Sequence, residues 1–133
     1  MLFITHDLGV VGSLCDRLAV MYAGRVVEAG PVDALFASPA HPYTASLLRA
    51  VPMLGRGRSV LTQIPGTVPN MAAPPPGCAF HPRCPSAGPR CSVEDPVAKD
   101  IAGMRSVACH YPFAAPGAAA EAAAIPVASQ AGP

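Results

Sequence analysis

Arg17-Leu18-Ala19-Val20-Met21-Tyr22-Ala23-Gly24-Arg25-Val26-Val27-Glu28 carries the clearest structural signal in this chain. Two β-prone runs flank a two-residue turn containing glycine, the pattern of a tight β-hairpin. Upstream, Asp7 is placed to cap a helix whose apolar face is Leu8, Val11, Leu14, Cys15 and Leu18 at three- and four-residue steps. Cys15, on that face, reads as a small buried hydrophobe. Leu2-Phe3-Ile4-Thr5 is a short apolar run fit for a buried strand, and it begins so abruptly that its partner strands are expected upstream of this sequence. Downstream, Gly30-Pro31 opens a short helix carrying Val32, Ala34, Leu35 and Phe36, which Ser38-Pro39 ends. Residues 1–37 therefore predict α/β material.

From residue 38 to 113 the texture changes. His41-Pro42 opens another helix with Tyr43, Leu47, Leu48 and Val51 on one side, stopped by Pro52. Ile64-Pro65-Gly66-Thr67-Val68-Pro69 and Pro74-Pro75-Pro76-Gly77 are extended, turn-rich connections. They lead to Cys78, Cys84, Cys91 and Cys109. Prolines interrupt helix and sheet ladders alike, so little regular structure is expected around these cysteines. Something else must offset the ordering entropy, and four thiols point to disulfides or a bound metal centre. Residues 114–133, half alanine with Pro, Gly and Ser, read as a disordered tail.

Composition narrows the function classes. The 133 residues have room for one small domain or pieces of two. Hydrophobic residues make up 51%, but much of this is alanine and there is no Trp, so core-forming side chains are fewer than the figure suggests. Nine Lys and Arg against eight Asp and Glu leave a net charge of +1, which gives no electrostatic case for nucleic acid. Arg56 and Arg58 in Gly55-Arg56-Gly57-Arg58 are most simply a solvated loop. The start, Met1 to His6, has no charged n-region of a signal peptide. No stretch holds the roughly 20 strongly apolar residues of a membrane span. A cytoplasmic compartment is expected, which favours metal ligation over disulfides.

Thr5-His6-Asp7 follows the first apolar run and precedes a helix. In open α/β sheets ligands bind outside the carboxyl ends of strands, and a histidine there can donate to a phosphate oxygen. Taken alone, a partly buried His bonded to neighbouring backbone is the simpler account.

The longer pattern changes that balance. Leu2-Phe3-Ile4-Thr5-His6-Asp7-Leu8, with Cys15-Asp16-Arg17 through Glu28-Ala29-Gly30, closely resembles the end of an ABC transporter ATP-binding domain. His-Pro-Tyr-Thr at 41–44, Ile-Pro-Gly at 64–66 and the cysteine group resemble the C-terminal extension of its dipeptide/oligopeptide branch. The resemblance spans residues 2–113. It implies the C-terminal edge of an ABC-type P-loop ATPase domain over 1–37, a small irregular Cys-rich extension over 38–113 and a tail over 114–133.

By the same resemblance, His6 is the switch-loop histidine that contacts the ATP γ-phosphate and helps position the attacking water. The full subunit would use ATP with Mg²⁺. It would work with two transmembrane permease subunits, a sister ATPase subunit and, indirectly, an extracytoplasmic peptide-binding protein, on the inner face of the cell membrane. Cys78, Cys84, Cys91 and Cys109 would hold a 4Fe–4S cluster. Their own chemistry leaves zinc open, because four thiolates suit either. Gaps of five, six and seventeen residues are wider than the tight knuckles of structural zinc sites and lean toward the larger cube. His81 and His110 are expected to lie outside the ligand set. A freestanding four-cysteine iron–sulfur or zinc module without ATPase activity is the competing possibility. There is no Gly-x4-Gly-Lys-Ser/Thr, and the only lysine is Lys99. The signature motif and the catalytic carboxylate are also missing, so this chain by itself is expected to be inactive toward ATP.

Overall fold

The hairpin forms at the expected residues. In the computed structural model, which describes residues 1–50 and 64–113, β1 (Arg17–Tyr22) pairs antiparallel with β2 (Arg25–Pro31). Ala23 and Gly24 both have positive φ, 49° and 76°, as a type I′ hairpin turn requires. The register shifts between Val20 and Met21, so that Val20 faces Glu28 and Met21 faces Val26. This bulge lets the consecutive residues Val27 and Glu28 both be buried, which strict alternation would forbid.

Three helices pack around it: α1 (Leu8–Leu14), α2 (Val32–Ala37) and α3 (Pro42–Ala50). The Asp7 carboxylate caps α1 by accepting from the N–H groups of Gly9 and Val10 at 2.9 and 3.2 Å. Pro31 sits at the N-cap of α2 and Ser38 at its C-cap. The core gathers Val11, Val20, Tyr22, Val27, Val32, Leu35, Phe36, Leu48 and Phe80, with Leu35 fully enclosed. None of the helices among the described residues is long and apolar enough to cross a membrane.

Three expectations are corrected. Leu2–Thr5 forms no strand, and Leu2 and Ile4 are each 89% exposed. A strand needs a ladder partner, and none of the described residues pairs with this run. The predicted apolar face of α1 is also only partly used: Val11 is buried, Leu8, Cys15 and Leu18 pack partly against the core, and Leu14 is exposed. Finally, the cysteine-bearing segment does contribute to a sheet. β3 (Lys99–Ile101) and β4 (Arg105–Val107) form a small hairpin, and β4 pairs with β2 through Glu28–Val107 and Ala29–Ser106. The sheet order is β1-β2-β4-β3. Prolines interrupt the chain up to Pro96, but residues 97–111 contain none, and the ladder forms there. The tail, the Arg56–Arg58 loop and the Val51-Pro52 end of α3 lie outside the described residues.

One buried carboxylate ties these layers together. Glu28, with no exposed surface, accepts from the backbone N–H of Ala40 at 2.8 Å and of His41 at 2.9 Å. Arg105 Nη2 lies 3.8 Å from the same carboxylate, and Arg105 Nη1 donates to the Ala34 carbonyl at 3.3 Å. Truncating Glu28 would leave two buried amides without an acceptor and the Arg105 guanidinium without its counter-charge. Glu28→Ala is therefore expected to lower unfolding free energy by about 3–5 kcal/mol in urea titration. Glu94→Ala, which breaks only an exposed, solvent-screened pair with Arg90, should leave the urea midpoint essentially unchanged.

Candidate functional site

The four sequence-selected cysteines fall on short turns and loops that wrap one side of the sheet. Cys78 precedes a 3₁₀ turn at His81–Arg83, and Cys84 follows it; Cys91 lies within a second turn at Pro89–Ser92. Cys109 follows Ala108, whose N–H donates to the Val27 carbonyl at 2.8 Å. Proline stands second in the first turn, as Pro82, and first in the second, as Pro89, where its missing N–H is harmless. Between these turns, Phe80 is driven into the core against Tyr22 and Tyr43, with ring centroids 5.2 Å from each, while Tyr22 and Tyr43 stand 4.6 Å apart. This aromatic group anchors the segment that carries the thiols.

Arg83 adds a polar clamp. Its Nε donates to the Pro65 carbonyl at 2.9 Å, Nη2 to the Ile64 carbonyl at 3.2 Å and Nη1 to the Tyr22 hydroxyl at 3.3 Å. The Ile-Pro-Gly stretch singled out in the sequence is thus held against the cysteine loop. Neither Glu28 nor Arg83 was identified from the sequence. A glutamate within an apolar hairpin run was the available signal for the first, and nothing marked the second among scattered arginines.

All five cysteines are free thiols. Burial pushes the Cys78 thiol up, opposed by the backbone amide of Phe80 and reinforced by Cys91. Cys84 is raised by burial, against the amide of Ser86, with Cys78 and Cys91 adding to the rise. Cys109 is pushed up to about 11, mainly by burial, with the Tyr111 amide opposing and the other three cysteines contributing. The thiols therefore share one electrostatic neighbourhood. As placed, they are neighbours rather than a closed ligand set: among the described residues, no three His, Cys, Asp or Glu groups could hold a metal ion together. His81 Nδ1 donates to the Cys78 carbonyl at 2.9 Å, and His110 Nε2 to the Glu94 carbonyl at 2.7 Å.

His6 stands in a bend immediately before α1 and is exposed. The chain around it is organised by Asp7, whose N–H donates to Thr5 Oγ1 at 3.0 Å while its carboxylate caps the helix. Among the described residues, no hydrogen bond or ion pair joins His6 to the cysteine segment.

His41, the first residue of the His-Pro-Tyr-Thr run, is enclosed beside Phe80, with ring centroids 6.0 Å apart. Its Nδ1 accepts from the Tyr43 N–H at 3.0 Å, so the ring proton belongs on Nε2. That Nε2 and the nearby-in-sequence Thr44 hydroxyl have no partner among the described residues. Burial lowers the His41 pKa from 6.5 to about 4. The unfolded chain therefore takes up this proton first as pH falls. Stability from this residue is complete above about pH 6.5 and lost progressively down to pH 4, by roughly 3 kcal/mol. Urea midpoints measured across that range should show the loss, and His41→Asn should flatten the profile between those limits.

Comparison with known proteins covers most of the chain. Residues 27–91 match the family described as "Oligopeptide/dipeptide transporter, C-terminal region". A probable peptide ABC transporter ATP-binding protein of Sinorhizobium fredii is 50% identical over 121 residues, covering 90% of this chain and 34% of the relative. The dipeptide transport ATP-binding protein DppD of Escherichia coli is 44% identical over 113 residues, covering 85% of this chain and 35% of the relative. A putative peptide import ATP-binding protein of Brucella ovis is 51% identical over 102 residues, covering 72% of this chain and 30% of the relative. The chain spans about a third of the length of these relatives.

Proposed function

Because this chain belongs to the oligopeptide/dipeptide transporter family as its C-terminal region, we propose that it serves as the C-terminal part of an ATPase subunit that powers dipeptide or oligopeptide import. The observation that carries this is the match itself, which runs through the hairpin, α2, α3 and into the cysteine segment at 44–51% identity. In this proposal the subunit lies on the cytoplasmic face of the membrane. It pairs with a sister ATPase subunit and two permease subunits, which receive peptide from an extracytoplasmic binding protein.

ATP with Mg²⁺ supplies the phosphoryl group whose hydrolysis drives transport. Of the groups needed to hold it, this chain contributes His6, an exposed imidazole whose backbone is set by the Thr5–Asp7 turn and the Asp7 cap. Its role is to donate to the γ-phosphate and orient the attacking water. Reading the gene upstream of Met1 tests the proposal first: an in-frame phosphate-binding loop and signature motif support it, and an unrelated upstream sequence defeats it. In the subunit so defined, His6→Ala should cut ATP turnover about 100-fold while ATP binding persists. Unchanged turnover would remove His6 from the mechanism.

A second site is proposed at Cys78, Cys84, Cys91 and Cys109 as thiolate ligands of a 4Fe–4S cluster, with zinc as the alternative. Its support is the donor chemistry: four free thiols in a common neighbourhood, on a segment whose buried apolar side chains are Phe80, Cys91, Val107 and Ala108. Drawing the sulfurs into one set would require their turns to close around the ion, as metal binding commonly orders small sites. Anaerobically purified protein should contain iron and acid-labile sulfide, both lost in Cys84→Ser. Stoichiometric zinc without sulfide selects the alternative, and neither metal removes the site.

A further inference from the structure

We propose that in the metal-free chain Cys78 and Cys91 form a redox pair, in which Cys78 meets a glutathione-type disulfide and Cys91 resolves it into an internal bond. Backbone geometry brings these two together. The Cys78 N–H donates to the Cys91 carbonyl at 2.9 Å. Such a bond sets the two Cα atoms roughly 5–6 Å apart, inside the range that a disulfide spans. Gly77 makes the approach possible: its φ is +71°, and a Cβ there would stand 2.5 Å from the Cys91 carbonyl oxygen. Among the described residues, no backbone hydrogen bond links Cys84 or Cys109 to another cysteine.

Access separates the roles within the pair. A cleft of about 270 Å³, lined by Tyr22, Val26, Val27, Phe80 and Ala108 and edged by the Arg25–Asp95 ion pair, opens onto Cys78. Cys91 is buried at 6% exposure. An incoming disulfide therefore reaches Cys78 first, and Cys91 is the internal thiol beside it.

The chemistry balances with oxidised glutathione as the oxidant. The Cys78 thiolate attacks one glutathione sulfur, the glutathione S–S bond breaks, and one glutathione leaves as the thiol after taking a proton. The Cys91 thiolate then attacks the Cys78 sulfur and expels the second glutathione, which takes the other proton. Two cysteine thiols are oxidised to one disulfide, and one glutathione disulfide is reduced to two thiols. The inference goes beyond the transport proposal and does not depend on it.

The test uses the full chain, reduced, stripped of metal with a chelator and incubated with oxidised glutathione. Acid quenching, alkylation and tryptic mapping then locate the bond. Arg83, Arg90, Lys99 and Arg105 place the four cysteines in separate tryptic peptides, and Arg17 isolates Cys15. The expected result is loss of two hydrogens per chain and a dominant link between the Cys78 and Cys91 peptides, with Cys84 and Cys109 alkylated. Cys91→Ser should halt at a glutathione adduct on Cys78, and Cys78→Ser should leave Cys91 alkylated. The same reaction in urea gives the unfolded pairing distribution. A native distribution equal to that one, a different dominant pair, or Cys78 and Cys91 both alkylated would overturn the proposal.

Discussion

A carboxylate without exposed surface, bonded to two backbone amides, is the constraint on which this structure turns. Glu28 lies on β2, Ala40 and His41 lead into α3, and Arg105 arrives from β4. Each group would be expensive to bury alone. Together they pair most of these groups, with Arg105 Nε left without a partner among the described residues, and in doing so they fix the position of α3 relative to the sheet. The Phe113 N–H returns to the Ala40 carbonyl at 2.9 Å, so the far end of the described chain is gathered at the same point.

From that junction, packing extends to the cysteine segment. α3 presents Tyr43 to Tyr22 and Phe80, and Phe80 lies between Cys78 and Cys84 in sequence. Arg83 fastens the Ile64-Pro65 backbone to Tyr22 on the other side of this loop. The hairpin and the cysteine-bearing segment therefore share a core and a sheet. A change in the thiols, whether metal binding or oxidation, would act on turns that rest directly against the hairpin.

Local chemistry was legible wherever a signal lay within a few residues. The Ala23-Gly24 turn, the Asp7 cap, the Ser38 end of α2 and the Pro42 start of α3 all appear where the sequence places them. Hydrophobic pattern alone misled at Leu2–Thr5, because a strand's existence depends on a partner that the run itself does not specify. Proline density misled in the opposite direction near Lys99–Val107: the few proline-free residues were enough for a short ladder once β2 offered an edge.

The sequence by itself determined the family and the candidate residues, because short motifs such as Thr5-His6-Asp7, His41-Pro42-Tyr43-Thr44 and the four cysteines are read without three-dimensional information. It also determined the hairpin, whose turn and strands are contiguous. Only the tertiary structure decided that Glu28 is a buried junction, that Arg83 is a clamp and that Cys78 lies against Cys91. Those properties are contacts between residues 12 to 77 positions apart, from Glu28–Ala40 to Glu28–Arg105. No local pattern encodes such contacts; they arise because most polar groups that packing buries must find partners elsewhere in the chain.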